Sequence, residues 1–320
     1  MSMFDIITIG SATVDTFIET DNKFFKGKEY RFPVGAKLLI KHVNIMTGGG
    51  ATNTAVGFSR MGLKTSIISC IGVKNNSKRV IDELEHEKVD TSLIERNPNQ
   101  RTGFSVILDA KGHDRTILAF KGSNNLLCVE CLDNRRCFNT KWMYFTSLMG
   151  KSYNTLKKIA KQAHDKKIKI VFNPSLYLAK KGVKFLGDVL KLCNVVILNK
   201  EEAQALFKEK NVKKCLSKFH KLGVNIAVIT DGGNKIHAYD GECIHTLQPP
   251  KVKVVETTGA GDAFSSGFVA ALVKGKKLKD ALSIGLANSQ SVMQFCGAKE
   301  KLLTWKNANT IAKKHKVKIC

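Results

Sequence analysis

Residues 252–273 read VKVVETTGAGDAFSSGFVAALV, and the Gly-Ala-Gly-Asp stretch within them could carry out chemistry. It separates a β-branched apolar run from an apolar stretch with helical spacing, so the pattern predicts a strand, a turn and a helix. Small residues at a helix start leave backbone N–H groups open to an anion. Asp262 at the head of that helix could take a proton from an attacking hydroxyl. A tight turn with Asp262 as a helix cap is the structural alternative.

A second glycine-rich stretch, GGGATN at residues 48–53, could bind hydroxyl groups. Its glycines let the backbone approach a ligand closely, and the Asn53 side chain offers both a donor and an acceptor. The alternative is a turn into a helix over 54–61 with Asn53 near its cap. The chain contains no G-x-x-x-x-G-K-[ST], and residues 48–53 depart from G-x-G-x-x-G at the last position. The sequence therefore disfavours a P-loop hydrolase and a Rossmann dehydrogenase.

A sheet must position these stretches, and strand-like apolar runs recur along the chain: IITIG (6–10), TSIISCIG (65–72), TGFSVIL (102–108), KIVFN (169–173), VVILN (195–199), IAVIT (226–230) and VKVV (252–255). Segments with helical spacing lie between several of them, at 53–62, 152–167 and 201–222. This alternation predicts an α/β fold with a mostly parallel central sheet covered on both faces. Ligands bind beyond the carboxyl ends of such strands, where polar and glycine residues collect in this chain (10–15, 173–174, 199–202, 230–233 and 257–262).

Two further segments, at about 14–46 and 101–120, alternate apolar and polar residues. A Lys-Gly-His-Asp turn at 111–114 divides the second of them into a hairpin-like pair. We therefore predict a small antiparallel flap attached to the main sheet. No long linker, repeat or low-complexity tract appears, so residues 1–320 are predicted to form a single domain with this flap.

The composition is that of a chain with a sizeable core, because 43% of the 320 residues are hydrophobic and the mean hydropathy is −0.12. No apolar run approaches the ~18–20 residues that span a bilayer, and the N-terminal MSMFDIITIG resembles a first strand rather than a signal peptide. Nine cysteines, an odd number, favour reduced thiols over a disulfide framework. Cys128 and Cys131 lack the second pair that a zinc site needs. We therefore expect a cytoplasmic protein with no contact to a membrane.

The charge is strongly basic: 52 Lys and Arg stand against 27 Asp and Glu, a formal net charge of +25. Such an excess is typical of nucleic-acid-binding proteins. The lysines are spread along the chain, however, without an aromatic-interleaved basic motif or zinc-finger spacing. We interpret them as a solvated surface that also steers anionic nucleotides toward the protein. Nucleic acid is not an expected partner.

Taken together, the motifs resemble the ribokinase family of carbohydrate and nucleoside kinases, also called the PfkB family. ETTGAGDAFSSGF is similar to the family's C-terminal signature D-T-x-G-A-G-D-x-F, and GGGATNTAVGFSRMG to its N-terminal signature. Further segments follow in family order: GSATVD (10–15), RTGFSVILDAKGHDRTILAFKGSNNLL (101–127), NPS (173–175), NKEEA (199–203), VITDGG (228–233) and ANSQSVMQFCGAKEKLLTW (287–305). The resemblance implies a ribokinase-like three-layer α/β/α domain with a small β lid.

The resemblance also implies transfer of the γ-phosphoryl group of ATP to an alcohol, a reaction that depends mainly on positioning and electrostatics. Asp262 would be the catalytic base, and the transferring phosphoryl group would be held by the N–H groups of Gly259, Ala260 and Gly261. Substrate hydroxyls would be held by Asp15, Gly49 and Asn53. The family's N-x-x-E motif, at Asn199 and Glu202, would organise Mg²⁺ and phosphates, with Glu202 on the metal side. The remaining nucleotide positions would be Thr230, Gly232 and Asn288. The lid would exclude water and so suppress ATP hydrolysis.

One departure from the family pattern concerns the first acidic residue of the C-terminal signature, which is Glu256 here instead of aspartate. In relatives activated by monovalent cations this aspartate contributes to the cation loop. A glutamate carboxylate reaches one methylene further, so activation by potassium is doubtful. The base at Asp262 is unaffected.

The acceptor remains open at this point. The leading hypothesis is a sugar, as in ribokinase or fructokinase, and the alternative is a nucleoside such as adenosine, because residues that bind hydroxyls suit both. Aromatic residues of the lid, such as Phe17 and Phe104, would allow a base-binding pocket. A third hypothesis is a non-catalytic basic protein that binds nucleic acid on a kinase fold. Exposed strand edges in the lid would allow a homodimer.

Overall fold

The computed structural model describes residues 3–27, 29–109, 115–128, 130 and 134–319. Its strands, in chain order, are β1 Phe4–Ile9, β2 Thr13–Glu19, β3 Phe25–Lys26, β4 Glu29–Tyr30, β5 His42–Gly48, β6 Thr65–Ile71, β7 Ile94–Arg96, β8 Gly103–Asp109, β9 Thr116–Phe120, β10 Thr140–Thr146, β11 Lys169–Asn173, β12 Val195–Asn199, β13 Ile226–Thr230, β14 Ile236–Tyr239, β15 Ile244–Leu247 and β16 Val317–Ile319. Its α-helices are α1 Gly50–Arg60, α2 Asn75–His86, α3 Asn134–Cys137, α4 Gly150–Asp165, α5 Leu176–Ala179, α6 Val183–Leu190, α7 Lys200–Phe207, α8 Val212–Lys221, α9 Ala260–Val273, α10 Leu278–Val292 and α11 Trp305–Ala312.

The central sheet has the strand order β16-β15-β14-β13-β12-β11-β10-β1-β6-β7. The strands from β13 to β7 pair in parallel, and β14, β15 and β16 extend the sheet antiparallel at one edge. The predicted mostly parallel sheet is therefore confirmed. Its carboxyl edge carries the residues that follow β1, β12 and β13.

Helices cover both faces of this sheet because alternate residues of each buried strand point to opposite sides. In β10, Met143 and Phe145 join a core with helices α4 to α8, whereas Trp142 and Tyr144 join a second core with α1, α9, α10 and α11. Near-continuous apolar strands are what a doubly covered parallel sheet requires. The predicted three-layer arrangement is confirmed.

Two local predictions were wrong. Residues 252–255 form no strand: Val254 and Val255 are 53% and 56% exposed, and the Val255 N–H donates to the Met293 carbonyl at the end of α10 (2.8 Å). The β-branched run fails as a strand because no neighbouring strand pairs with it. The helical pattern over 201–222 is two helices, α7 and α8. Lys208 ends α7 in the left-handed conformation (φ 49°), and Asn211 caps α8 by accepting from the Lys214 N–H (3.1 Å).

A second sheet, which we call the lid, has the order β5-β2-β8-β9. Its strands come from the two alternating segments, and the proposed turn at 111–114 lies outside the described residues. The expectation of an antiparallel flap was wrong for its central pair, because β2 and β8 run parallel. Both strands leave the same edge of the central sheet, and this common origin gives them a common direction.

The lid joins the central sheet through a short connector, residues 10–12, between β1 and β2. The Asn124 side chain makes two hydrogen bonds to the backbone of Ala12 in this connector. Ala12 N donates to Asn124 Oδ1, and Asn124 Nδ2 donates to the Ala12 carbonyl, each at 2.9 Å. The Ser69 hydroxyl also donates to the Gly10 carbonyl (2.8 Å). The start of the lid is therefore fixed to the main domain by hydrogen bonds.

Candidate active site

The two glycine-rich stretches meet at Asp262. Gly259 caps α9 in the left-handed conformation (φ 76°), which places Asp262 in the first turn of the helix. Asn53 lies in the first half of α1, and its Nδ2 donates to Oδ2 of Asp262 at 2.8 Å. Residues separated by 209 positions in the sequence are thus joined by one hydrogen bond. This contact is the centre of the site.

The Asp262 carboxyl is half-buried, and the protein displaces much of its water. We call the space between the lid and the start of α9 the cleft. Desolvation raises the pKa of Asp262 to about 6, against the opposing effects of the Asn53 hydrogen bond and the positive charge of Lys299. Asp262 is therefore ionised above neutral pH and still holds a proton firmly enough to act as a base.

The glycines of the Gly-Ala-Gly-Asp stretch differ in their surroundings. A Cβ added at Gly259 would lie 2.5 Å from the Ala298 Cβ, so both its φ and its packing require glycine. A Cβ added at Gly261 would meet nothing within 4 Å. The N–H of Ala260 donates to the Thr257 carbonyl at 3.2 Å, so it is already engaged within the turn. Gly261 is the residue of the three whose backbone borders open space at the helix N-terminus.

The predicted substrate residues Asp15 and Gly49 lie on the lid side of the cleft. Asp15 is on β2, where its Oδ1 accepts from the Thr13 hydroxyl (3.1 Å) and its Oδ2 lies so close to Gly48 that a Cβ there would come within 1.9 Å. Gly49 precedes α1 with φ 98°, and a Cβ on it would lie 2.4 Å from the Ser11 carbonyl oxygen. Both glycines therefore permit a close packing that holds Asp15 beside the start of α1.

Asn199 and Glu202 form a capping box at the start of α7. Asn199 Oδ1 accepts from the Glu202 N–H (2.8 Å), and Glu202 Oε2 accepts from the Asn199 N–H (2.9 Å). The N-x-x-E spacing thus satisfies two helix-end donors. Desolvation raises the pKa of Glu202 to about 7, and the negative charges of Glu201 and Asp262 act in the same direction. A carboxyl in this environment would gain from a nearby cation.

Thr230 and Gly232 lie beside this capping box. Thr230 ends β13 directly opposite Asn199 of β12. Gly232 has φ 53°, and a Cβ on it would meet nothing within 4 Å. The acidic Asp231 between them is paired with Lys200 (Oδ2 to Nζ, 2.9 Å), so its charge is compensated where phosphates are expected.

Asn288 is separated from this group. It is fully buried, its Nδ2 donates to the Ala263 carbonyl (2.8 Å) and its Oδ1 accepts from the Leu303 N–H (2.8 Å). These bonds join α10, α9 and the segment before α11. The structure therefore gives the Asn288 side chain a packing role, and its predicted contact with the nucleotide stays a prediction.

Lys299 is the residue at this site that the sequence analysis missed. It is 7% exposed, and its Nζ reaches Thr47, Asn53 and Glu83. A lysine in a basic chain gives no signal of burial, because lysine is almost never fully buried unless paired. Its place directly after the Gly-Ala turn, within a segment already matched to the family, was the available signal.

The site offers Mg²⁺ one carboxylate, that of Glu202, and no preformed set of protein ligands among the described residues. Among the residues that the structure describes, no cluster of three or more His, Cys, Asp or Glu could hold a metal. Mg²⁺ commonly binds through one or two carboxylates, water and nucleotide phosphates, so the Glu202 carboxyl fits an ion that arrives with the nucleotide.

No helix in the described part of the chain is both long and apolar enough to cross a membrane.

The fold and the site together define a kinase that transfers a phosphoryl group to a hydroxyl. The chain belongs to the pfkB family of carbohydrate kinases, whose model matches residues 3–305. The predicted family, fold and enzyme class, an ATP-dependent carbohydrate kinase, are thereby confirmed.

Individual relatives are distant in sequence but similar over most of the chain. A ribokinase of Haemophilus influenzae is 26% identical over 276 residues, which cover 84% of this chain and 88% of the relative. A structure of the nucleoside kinase of Methanocaldococcus jannaschii superposes with a TM-score of 0.81 at 23% identity, covering 98% and 100% of the two chains. A putative ribokinase II of E. coli, in complex with ATP and Mg²⁺, superposes with a TM-score of 0.84 at 18% identity and the same coverage.

Proposed function

We propose that this kinase phosphorylates a hydroxyl of a free sugar with Asp262 as the base. The observation that carries the proposal is the 2.8 Å hydrogen bond between Asn53 and Asp262, because it joins a hydroxyl-binding residue to the base. A substrate hydroxyl held by Asn53 would lie within proton-transfer reach of the Asp262 carboxylate.

Phosphoryl transfer depends on holding the transferring group in line with that hydroxyl. The N-terminus of α9 supplies a positive dipole end, and we assign the donor that faces the phosphoryl group to Gly261, which borders open space. Gly259 shapes the turn, and Ala260 closes it through its bond to Thr257. When bound, ATP supplies the phosphoryl group and Mg²⁺ compensates the charge of its phosphates.

On the nucleotide side we propose Asn199, Thr230 and Gly232 as contacts and Glu202 as the carboxylate nearest the metal. Their support is that they adjoin at the carboxyl edge of β12 and β13, where an open parallel sheet binds its ligands. Asn288 is left out of this set because its side-chain amide is used within the protein.

The acceptor side consists of Asp15, Gly49 and Asn53 beneath the lid. Residues on the same face of β2 as Asp15 continue into a cavity of about 340 Å³ between the lid and residues 254–257. Its lining includes Phe17, Ile107 and Val254 as well as the polar Asn44. The lining also carries charged side chains, among them Glu19, Arg115 and Glu256. Apolar surface beside hydrogen-bonding groups would accept a nucleobase, so a nucleoside is the second candidate acceptor. A sugar would leave this cavity to water or to lid closure.

An acceptor screen tests the proposal. ADP formation with Mg-ATP would be followed across free pentoses, free hexoses and nucleosides, with Asp262→Asn as the matched variant. We expect turnover on a free sugar that falls by at least about a thousandfold in Asp262→Asn, because a general base and its charge are both lost. Preferred turnover on a nucleoside would move the assignment to the second candidate. Undiminished turnover in Asp262→Asn would show that another group is the base.

We further propose that two copies associate through their lids. One face of the lid packs toward the cleft, whereas the opposite face carries exposed apolar residues, among them Val43, Ile45, Leu118 and Phe120, which are 43–56% exposed. Ile45 and Leu118 belong to one row across the sheet through Thr16 and Val106. A contiguous apolar sheet face of this kind is typical of an interaction surface.

A further inference from the structure

Lys299 is a buried cation placed next to the catalytic centre. Its Nζ donates to the Thr47 carbonyl (2.5 Å), to the Thr47 hydroxyl (2.6 Å) and to Oδ1 of Asn53 (3.4 Å). Glu83 Oε2 lies 3.2 Å from the same nitrogen as an ion-pair partner. Burying an ammonium costs free energy even with such partners, and a well-packed apolar side chain at the same position is often at least as stable. Stability alone therefore does not account for a lysine here.

The lysine determines which way the Asn53 amide faces. An ammonium group has only donors, so the Asn53 atom that faces it must be the oxygen. The amide nitrogen must then face Asp262, where it donates to Oδ2. If Lys299 were absent, an ionised Asp262 would still accept only from the amide nitrogen, because a carboxylate does not donate. A protonated Asp262 could face either end of the amide. Lys299 and an ionised Asp262 thus favour the same orientation of the Asn53 amide, and Lys299 also keeps that orientation when Asp262 is protonated.

The segment that carries Lys299 is bonded to α1 and to the residues just before α9. The Lys299 carbonyl accepts from Nη1 of Arg60 (3.3 Å), and Arg60 is held by Glu87 in a two-point ion pair. Two residues before Lys299, the Gly297 N–H donates to the Glu256 carboxylate (3.0 Å), and Ala298 packs against Gly259. The turn and the start of α9 therefore form one packed unit.

We propose that Lys299 is a positioning residue for phosphoryl transfer: it orients Asn53 so that Oδ2 of Asp262 is held and Oδ1 is left to accept the proton of the substrate hydroxyl. This inference rests on the proposed function, because it assigns the base to Asp262. It adds to that function a residue from outside both glycine-rich stretches, acting through Asn53 and not by touching the substrate.

The charges around the pair act consistently with this role. The groups that face Asp262 electrostatically are Lys299 from the 297–300 turn, Tyr144 from β10 and Glu202 from α7. Those that face Lys299 are Glu83 from α2, Asp15 from β2 and Asp262 from α9. Burial lowers the pKa of Lys299, and these three carboxylates oppose that effect. The cation in turn favours the ionised form of Asp262.

Two substitutions separate orientation from charge. Lys299→Met removes both the donor and the charge at similar volume, whereas Lys299→Gln keeps an amide donor and removes only the charge. Lys301→Met is the matched control, because Lys301 is an exposed lysine in the same segment. The measurement is kcat against pH from 5 to 9 with the identified acceptor, after thermal unfolding has shown that each variant is folded.

In the wild type we expect kcat to fall on the acid side near pH 6, where Asp262 is protonated. In both Lys299 variants this acid limb should move up by about one pH unit, because the base loses a nearby cation. In Lys299→Met the plateau kcat should also fall by about tenfold to a hundredfold, since the Asn53 amide loses the partner that holds its oxygen and is fixed from one side only. Lys301→Met should match the wild type in both respects.

An unchanged plateau kcat in folded Lys299→Met would overturn the proposal, because the orientation of Asn53 would then not depend on the lysine. An acid limb that stays in place in the folded Lys299 variants would also overturn it, because the lysine would then exert no effect on the base. If Lys299→Met does not fold, Lys299→Gln alone decides. Full activity of Asp262→Asn would instead remove the proposed base, and this outcome is distinct from an unmoved limb in enzyme that depends on Asp262.

Discussion

At the scale of single residues, Gly259 and Gly261 show how differently two glycines of one motif are constrained. Gly259 has a positive φ and contacts Ala298, so the fold itself requires it. Gly261 is within α9, in helical conformation, and a Cβ there would meet no other atom of the protein within 4 Å. The fold therefore does not require a glycine here, and under the proposed function the open space is left for the phosphoryl group.

Gly261→Ala should therefore stabilise the protein and impair catalysis. Replacing a helical glycine by alanine contributes about 0.5–1 kcal/mol to the free energy of folding. The added methyl would occupy space that the proposed function gives to the phosphoryl group, and we expect kcat to fall by at least about tenfold. Urea unfolding and steady-state kinetics measure the two effects. Gly259→Ala is the contrasting variant, expected to lose stability; a fully active Gly261→Ala enzyme would contradict the assignment.

The burial of Asp262 makes a second residue-scale prediction, concerning stability against pH. Its pKa is about 6 in the folded protein and 3.8 in the unfolded chain. Because the folded value is the higher one, the folded state gains from protonation at low pH and loses that gain as pH rises from about 4 to 6. Above pH 6 the ionised carboxylate destabilises the fold by up to about 3 kcal/mol, at ~1.4 kcal/mol per pKa unit.

Asp262→Asn should consequently be more stable than the wild type at pH 8 and no more stable at pH 4. The asparagine can still accept the hydrogen bond from Asn53, so the packing is kept. Chemical denaturation at the two pH values measures the difference, and Asp188→Asn on the exposed side of α6 is the control that should show neither effect. Equal stabilisation at both pH values would point to packing and not to charge.

The sequence could identify the residues of the site that belong to a pattern, and it could not identify those defined only by three-dimensional contact. Asp262 and Asn53 were predicted separately, and the structure joins them. Lys299 was not predicted, because its burial depends on Glu83 and Thr47 from other elements. Asn288 was predicted from its position in a family segment, but the direction of its side chain is set by the packing of α9 against α10.

At the scale of elements, the start of α7 has two roles to reconcile. The capping box of Asn199 and Glu202 stabilises the helix, and the same Glu202 is the proposed metal-side carboxylate. Glutamate and glutamine are both suited to the third helical position of a capping box. The two roles can therefore be separated by a change that keeps the shape and removes the charge.

At pH 4, where Glu202 is protonated in the folded protein, Glu202→Gln should leave thermal stability within about 0.5 kcal/mol of the wild type, since the capping geometry is retained. The concentration of Mg²⁺ needed for half-maximal activity should rise at least about fivefold, because the carboxylate charge is lost. A magnesium titration at saturating ATP and acceptor measures the second effect. Glu201→Gln, which alters the exposed neighbour, is the control; an unchanged magnesium requirement in Glu202→Gln would leave the residue with capping alone.

The sequence predicted the bounds of strands whose β-branched apolar residues are buried, and it failed for β10 and for residues 252–255. β11, β12 and β13 match the predicted runs because each is apolar apart from polar residues at one or both ends and is covered on both faces. β10 was not predicted, although Trp142, Tyr144 and Phe145 are buried, because its apolar run is only four residues long, polar residues flank it at both ends, and it lacks the β-branched residues of β12 and β13. Residues 252–255 have the composition of a strand but no neighbouring strand, and pairing cannot be read from composition.

At the scale of the whole molecule, charge and apolar surface are distributed differently. The net charge of +25 arises from lysines spread over the chain, whereas four of the exposed apolar residues, Val43, Ile45, Leu118 and Phe120, share the outer face of the lid. Repulsion between copies of a basic protein opposes association. A lid-to-lid dimer would have to overcome that repulsion with apolar contact, so its stability should increase with salt.

Sedimentation velocity at low and moderate salt tests this dimer. We expect the wild type to associate more tightly at higher salt, and a lysine at the centre of the apolar face, Leu118→Lys, to weaken association by at least about tenfold. Val73→Lys changes a similarly exposed apolar residue outside the lid and should have no effect. A wild type that stays monomeric at all concentrations would contradict the proposed dimer.

The grip of Asn124 on Ala12 has a mechanical consequence. A sheet whose first strand is bonded at its root can turn about that root, but it cannot slide along the cleft. On such a turn, the displacement of a lid residue grows with its distance from Ala12. At ~3.3 Å per residue, Asp15 is ~10 Å from Ala12 and Glu19 is ~23 Å away. Asp15 then moves less than half as far as Glu19, which lies at the tip of β2. A turn of the lid would therefore change the proposed hydroxyl contact of Asp15 less than the contacts made at the tip.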